Sequence, residues 1–389
     1  MIRAGMNRWD LIVIGTGAVG SATLRAAGEA GARVLGLEQF TPANLRGSSH
    51  GHSRIFRHAY FEHAEYVPLL RHSTARFESL ERDTATPLLH RCGVLLMGGP
   101  ESEAVRGSLD SARRWSLAVD ALDAAALRAR FPWFRLADDS IGSFEPDAGI
   151  VRPEASVHAA LQVARSRGGE LRTTTRVHGL EEDASGVSVH TAHGTERAAA
   201  VVVAAGAWTP RLLPELAPLL RVTRQVQAWV SPRQGVDATA MPCWLLDRGP
   251  RLPAVYGLAP DPQAVAANPD SPSRLPKAAL HGSDVLVDPD EGAAPVDDRD
   301  LASVHRAYSA IAPGLAGAVV AAATCLYTMS PDGHFLVGTR RSTQRTHFAA
   351  GLSGHGFKLS PALGDALCEL ALLGRTRLPI DFLSPCRFD

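Results

Sequence analysis

Few residues of this chain combine a reactive type with a telling position. Of its 40 lysines and arginines only two, Lys277 and Lys358, are lysines. A coding bias that puts arginine wherever a generic cation serves would leave lysine only where arginine cannot act. A compact ammonium of adjustable pKa is not interchangeable with a wide, permanently charged guanidinium. The plain alternative is that two lysines survived by chance, and their surroundings must decide. Arg54 and Arg57 lie three apart behind a Gly/Ser/His turn, and a guanidinium forks onto a carboxylate. In so arginine-rich a chain they could equally be a solvated surface pair. Gly15, Gly17 and Gly20 form Gly-x-Gly-x-x-Gly, and Glu38 follows about 20 residues later, where a dinucleotide fingerprint has its acid. Cys325, taken by its own context, is a small buried hydrophobe, as most free cysteines are.

The elements that must position these residues start with a short strand. Residues 10–14 are an apolar, β-branched run bounded by glycine, which predicts a buried parallel strand. An Ala/Leu-rich helix to about residue 30 and a strand over residues 33–38 complete a βαβ unit. In its first turn Gly15 allows the tight bend, Gly17 lets backbone approach a pyrophosphate and Gly20 packs helix on strand. The phosphates sit at the positive helix N-terminus, and Glu38 accepts from a ribose hydroxyl. The pattern predicts a dinucleotide and serves NAD and FAD alike. Further on, residues 91–97, 187–191 and 197–205 read as strands, and 101–117, 154–167 and 362–373 as helices. The strand ending in Ala204-Ala-Gly-Ala-Trp208 suits a cofactor passing over Gly206. Residues 259–276, rich in Pro, Asp and Asn, read as a long surface loop.

Composition bounds the rest. The 389 residues suit two domains or one two-lobed unit, and 45% hydrophobic with 21% charged residues is an ordinary globular balance. A formal net charge of zero argues against nucleic acid or an anionic membrane as partner. Five dispersed cysteines without a Cys-x-x-Cys pair fit a reducing compartment rather than a disulfide framework. No stretch approaches the roughly 20 apolar residues of a membrane span. The start of the chain lacks a signal-peptide pattern, and the last three residues are not the peroxisomal Ser-Lys-Leu. A cytoplasmic protein without a metal site is expected.

Five stretches together resemble the monomeric sarcosine oxidase and N-methyltryptophan oxidase family of flavoenzymes. They are the N-terminal fingerprint, Gly47-Ser-Ser-His-Gly-His-Ser-Arg-Ile-Phe-Arg-His-Ala-Tyr60, Lys277-Ala-Ala-Leu-His281, Cys325-Leu-Tyr-Thr328 with Ser330-Pro-Asp-Gly-His-Phe335, and Gly351-Leu-Ser-Gly-His-Gly-Phe-Lys358. They occur in order over nearly the whole chain, with the N-methyltryptophan branch nearest through segments such as Leu212-Leu-Pro-Glu-Leu216. The resemblance implies a two-lobed mixed α/β fold. A discontinuous, Rossmann-like FAD domain would comprise residues 1–90, 146–215 and 320–389. A mixed-sheet substrate domain of residues 91–145 and 216–319 would cover the flavin. It also implies oxidation of a secondary amino acid at its C–N bond. A hydride equivalent passes to flavin, the imine hydrolyses, and dioxygen returns as hydrogen peroxide.

Residue by residue, the resemblance implies a thioether from Cys325 to the flavin, with Arg54 against the flavin face and His50 close by. Gly15, Gly17, Gly20, Glu38, Val177, Gly206, Gly354 and Gly356 would complete the FAD site together with Lys358. Arg57 and Lys358 would grip the substrate carboxylate. Lys277 would promote reaction with dioxygen, because a nearby cation stabilises the charge of developing superoxide. On a strand, Lys277 and His281 share one face, so His281 would line the same site, and Tyr256 matches an active-site Tyr-Gly pair. His58 reads equally as a packed, hydrogen-bonded histidine. The chain departs from the family pattern at Ser49 and His52, and its stretch from Tyr256 to Lys277 is longer. These departures motivate a second reading, a biosynthetic amino-acid or imine oxidase of specialised metabolism on the same fold. A nicotinamide dehydrogenase would explain the fingerprint but neither the Cys325 nor the Gly351 motif. A flavin-binding module without turnover would leave both lysines and both arginines without a purpose. The expected partners are a small amino acid and dioxygen, and the expected state is a monomer.

Overall fold

Strand β1 (Trp9–Ile14), helix α1 (Ala18–Glu29) and strand β2 (Val34–Leu37) form the βαβ unit that opens the chain. The computed structural model describes residues 9–263, 270–342 and 344–389. β1 pairs in parallel with β2 on one side and with strand Gly194–Val203 on the other. Leu11, Ile12 and Val13 are fully buried, and neighbours along the strand face opposite layers. Leu11 and Val13 pack with Leu24 of α1 and with Leu161, Leu363 and Leu367 of the helices Pro153–Ser166 and Ser360–Leu373. Ile12 and Ile14 pack on the far side with Leu213, Leu220 and Phe348. A strand covered on both faces has no solvent side, which is why its sequence is an unbroken apolar run.

This first sheet has eight strands. Its main path runs Val177–Asp183, Gly186–Thr191, Gly194–Val203, β1, β2 and Glu170–Arg172, with Thr346–Ala350 and Leu336–Thr339 branching from Gly194–Val203. A second eight-stranded sheet follows the order Val319–Met329, Arg221–Val230, Lys277–His281, Ala254–Leu258, Cys243–Leu246, Val94–Gly98, Ile141–Glu145 and Asp120–Leu122. Its core gathers Leu96, Trp244 and Tyr308, the last from helix Asp298–Ile311, which starts in a capping box of Asp297 and Asp300. A small sheet joins β3 (Arg54–Phe56) to Gly149–Val151 and Leu89–His90.

The structure departs from the sequence reading in three places. The strand expected over residues 91–97 starts only at Val94, because Gly93 takes φ +81° just before it. Strand Val319–Met329 is hydrogen-bonded along its length to Arg221–Val230, from Arg221 opposite Met329 to Trp229 opposite Ala321. It therefore belongs to the second sheet, although the expected boundary at residue 320 assigned it to the first unit. The segment 259–276, expected as a surface loop, is anchored at both described ends. Asp261 is 1% exposed and takes two 2.6 Å hydrogen bonds from Arg152, and its N–H donates to Ser273 O at 2.8 Å. Residues 264–269 of that stretch lie outside the described residues. Among the described residues no helix is long and apolar enough to cross a membrane, and no group of His, Cys, Asp and Glu is placed to hold a metal ion.

Candidate active site

A large cavity extends from the glycine turn after β1 to the inner face of the second sheet. At its first end Gly15 takes φ +83°, and a Cβ there would stand 2.6 Å from Ala204 O. A Cβ on Gly20 would stand 1.8 Å from Gly15 O, so that glycine permits the close approach of helix and turn. α1 begins behind Gly17 with no capping bond from that residue and no acid in its first turn. The Ala18 N–H donates to Ser49 Oγ at 3.0 Å. The positive end of the helix thus borders the cavity. Beyond β2 the Glu38 carboxylate is fixed by the Thr16 N–H at 2.8 Å and the Phe40 N–H at 3.0 Å. Val177 and Gly206 line the same end. An open helix terminus, glycines that admit close approach and a fixed carboxylate are the set that a pyrophosphate and a ribose need, so these residues fit FAD.

At the other end Cys325, buried on Val319–Met329, has its Sγ 3.6 Å from Arg54 Nη2. Arg54 also donates to Ser53 O and Ser48 O, each at 2.9 Å. Burial opposes its charge, but Cys325, Tyr256, Tyr327 and Glu154 outweigh burial and raise its pKa. Lys277 is 2% exposed, and its Nζ donates to Gly51 O at 2.9 Å, Ser53 O at 2.6 Å and Gln227 Oε1 at 3.2 Å. Burial, then Arg54, push its pKa well below the usual lysine value. Lys277 and His281, at the two ends of one short strand, both line the cavity, as the strand period requires. Tyr256 lies on the neighbouring strand, where Leu258 pairs with Lys277 and Tyr256 with Ala279. The His281 ring lies 6.2 Å from the Tyr256 ring and 5.7 Å from Tyr327, and burial lowers its pKa.

The same cavity is lined by a charged cluster of Arg57, Glu62 and Lys358. Arg57 grips Glu62 with Nη2 at 2.6 and 2.7 Å, donates to Ala59 O at 2.7 Å, and lies 4.3 Å from the Tyr60 ring centre. Burial alone would raise the Glu62 pKa, but Arg57, His355 and Lys358 hold it at about 2. Lys358, 6% exposed, donates to His355 O at 2.9 Å and Tyr60 Oη at 3.5 Å. Burial and then Arg57 bring its pKa down to about 7. The glycine turn before it packs closely: a Cβ on Gly354 would come 2.3 Å from the Tyr327 ring and one on Gly356 2.6 Å from Leu352.

Of the residues singled out in the sequence, Gly15, Gly17, Glu38, Arg54, Arg57, Val177, Gly206, Tyr256, Lys277, His281, Cys325, Gly354, Gly356 and Lys358 all line this cavity. Gly20 and His50 do not. Gly20 acts in helix packing. His50 points its Nε2 at Gly47 O, 3.1 Å away, and its Nδ1 is buried without a partner. Burial and then Arg54 lower the His50 pKa to about 4. His58 is a packed histidine held between Glu145 and Thr74, each at 2.8 Å. Sequence reasoning passed over three residues. Glu62 lies five positions beyond Arg57. Tyr327 lies inside the Cys325 motif. Glu154, at the start of a helix, accepts the N–H groups of Gly51 at 2.6 Å and His52 at 3.0 Å. It thereby fixes the turn whose carbonyls hold Lys277, with Gly51 at φ +95° and His52 at φ +65°. The carboxylate contact that fixes this turn comes from more than a hundred residues downstream, out of reach of any local pattern.

The comparisons with known proteins agree with this geometry. The model of the family described as "DAO: FAD dependent oxidoreductase" matches residues 10–370. A monomeric sarcosine oxidase of Streptomyces avermitilis is 38% identical over 97% of both chains. An N-methyl-L-tryptophan oxidase of Salmonella typhimurium is 33% identical over 98% of this chain and 99% of its own. Identity to the sarcosine oxidase is thus the higher of the two, contrary to the N-methyltryptophan leaning of individual segments. The solved structure of NikD, an unusual amino acid oxidase essential for nikkomycin biosynthesis, superposes with a TM-score of 0.83 at 27% identity over 98% of both chains. By these matches and by its cofactor cradle, the chain belongs to the FAD dependent oxidoreductases, in the group of the monomeric sarcosine oxidases and N-methyl-L-tryptophan oxidases.

Proposed function

We propose that the protein oxidises secondary amino acids, N-methylated or cyclic, with FAD held through a thioether at Cys325 and with dioxygen as the final acceptor, giving hydrogen peroxide. The observation that carries this reading is the meeting of Arg57, Lys358, Lys277 and Cys325 on one cavity that also contains the dinucleotide cradle. Bound FAD would supply the acceptor for the amine's hydride equivalent and the route of its electrons to dioxygen. The chain supplies binding and electrostatics. Arg57 and Lys358 bind the substrate carboxylate, for which Arg57 exchanges its fork from Glu62 to the ligand. Tyr256, His281 and Tyr327 wall the space beside them. Lys277 stabilises negative charge as dioxygen is reduced. The first sheet and the helices on it form the FAD-binding unit in this reading. The second sheet, now including Val319–Met329, forms the substrate-binding unit. The protein works as a cytoplasmic monomer.

The test is a panel of N-methyl and cyclic amino acids assayed for peroxide. Rapid turnover of sarcosine, N-methyltryptophan or a cyclic imino acid is the expected result, and no peroxide from any secondary amino acid refutes it. The likeness to NikD favours one second reading, oxidation of a biosynthetic amino acid or imine. Fast turnover of sarcosine would remove it.

The pH profile follows from Lys358. Its ammonium is present below a pKa of about 7 and lost above it, so carboxylate binding weakens as pH rises. The substrate amine must be unprotonated to react and pulls in the opposite direction. The expected kcat/KM profile rises to near neutrality, levels off there because loss of the Lys358 proton offsets deprotonation of the amine, and has a descending limb only above the amine's own pKa. Lys358→Met should weaken binding about 10- to 100-fold, the scale of one charge-assisted hydrogen bond, and abolish that limb. A limb that persists in the variant assigns it to another group.

A further inference from the structure

Cys92 and Cys243 lie 151 positions apart in the chain, yet their sulfurs are 3.8 Å apart. Cys92 sits half-buried between Leu89–His90 and Val94–Gly98, and Cys243 is buried at the start of Cys243–Leu246. The two backbones are locked in register: Cys243 pairs with Val94 in parallel, and its N–H donates to Gly93 O at 3.0 Å. The two thiols are also unlike. The Cys243 thiol, by hydrogen-bonding to Cys92, lowers the Cys92 pKa, while burial, and then Cys92, push the Cys243 pKa up. The more exposed sulfur is thus the better nucleophile, and the buried one is in place to resolve it.

The pair stands behind the reaction end of the cavity. Cys243 interacts electrostatically with Lys277. Its strand carries Leu245 into the cavity wall, opposite Tyr256 on the strand whose Leu258 pairs with Lys277. The half-buried Cys92 is within reach of a small neutral oxidant released to solvent. We propose that Cys92 and Cys243 are an oxidisable dithiol, a modification site for hydrogen peroxide. The chemistry balances. The Cys92 thiolate attacks one peroxide oxygen, the O–O bond breaks, and the departing hydroxide leaves a sulfenic acid on Cys92. The Cys243 sulfur then attacks the Cys92 sulfur, forming the S–S bond as the S–O bond breaks. The leaving hydroxide takes up the Cys243 proton. Two thiols and one peroxide become one disulfide and two waters. The peroxide source rests on the oxidase reading above. The chemistry of the pair does not.

The experiment uses the full-length holoprotein carrying Cys386→Ser, which removes the exposed thiol. The reduced protein is treated with hydrogen peroxide, and its thiols are counted in denaturant. The expected result is loss of two thiols, a cross-linked peptide joining residues 92 and 243, and full recovery with dithiothreitol. Adding Cys92→Ser, at a half-buried position outside the cavity wall, should eliminate the reversible loss. An unchanged thiol count, or irreversible loss without the 92–243 peptide, overturns the proposal. A parallel sample turns over an amino acid with and without catalase. A cross-link that forms there and is suppressed by catalase adds support by identifying the enzyme as the peroxide source. Cross-linking by added peroxide but not during turnover still upholds the dithiol and counts against the oxidase reading alone.

Discussion

Lys277→Met is expected to slow reoxidation of the reduced enzyme by dioxygen about 10²- to 10³-fold, the scale of removing one preorganised charge-stabilising group. Anaerobic reduction by substrate should change far less. The reason lies in how the amine is held. Two backbone carbonyls and Gln227 fix Nζ within 3.2 Å in a buried position. Burial and Arg54 push its pKa well down. Such a group carries a proton most readily when negative charge appears beside it, as it does when dioxygen accepts an electron. Arginine does not replace it, since three converging acceptors match a tetrahedral ammonium rather than a planar fork. The variant also leaves those acceptors without their donor, at a cost of about 1–3 kcal/mol of stability. Stopped-flow measurement of the two half-reactions separates the effects, and equal slowing of both would show that Lys277 is not specific to dioxygen.

Cys325→Ala is expected to change the flavin's attachment completely. Wild-type protein precipitated with acid should give a yellow pellet, and the variant a colourless pellet with the flavin in the supernatant. Native variant should still be yellow, because the turn of Gly15 and Gly17 and the carboxylate of Glu38 would hold the dinucleotide without a covalent bond. Arg54 Nη2 lies 3.6 Å from the Cys325 sulfur, so a fixed cation borders the attachment point. A yellow pellet from the variant would move the linkage elsewhere, and a colourless wild-type pellet would remove it.

What could be read from the sequence was whatever the chain encodes over short distances or in a dense motif. The opening βαβ unit follows from one apolar run and three glycines, because a strand buried on both faces and a tight turn each leave a local mark. Lys277 and His281 fall on one strand face for the same reason. Tyr256 arrives on the adjoining strand despite the lengthened connection, since antiparallel pairing of Leu258 with Lys277 sets the register whatever lies between. The misses are contacts with no local mark. Nothing in residues 319–329 states which sheet they join, because a strand's partner is not written in its own pattern. Glu62 escapes periodicity arguments because a side chain reaching back five residues in irregular backbone follows no repeat. The nearness of Cys92 to Cys243 depends wholly on two strands meeting across the second sheet.

The burial of both lysines has a consequence for the outside of the molecule. Lys277 and Lys358 are 2% and 6% exposed, so the folded chain offers no lysine side-chain amine to solvent. Among its lysine and arginine side chains the surface cations are therefore all guanidinium, fixed in protonation across the biological pH range. Acetylation, methylation of lysine, ubiquitin-type conjugation and amine-directed cross-linking therefore have no side-chain target on the native surface. Control of this protein by lysine chemistry would have to act on an unfolded or nascent chain.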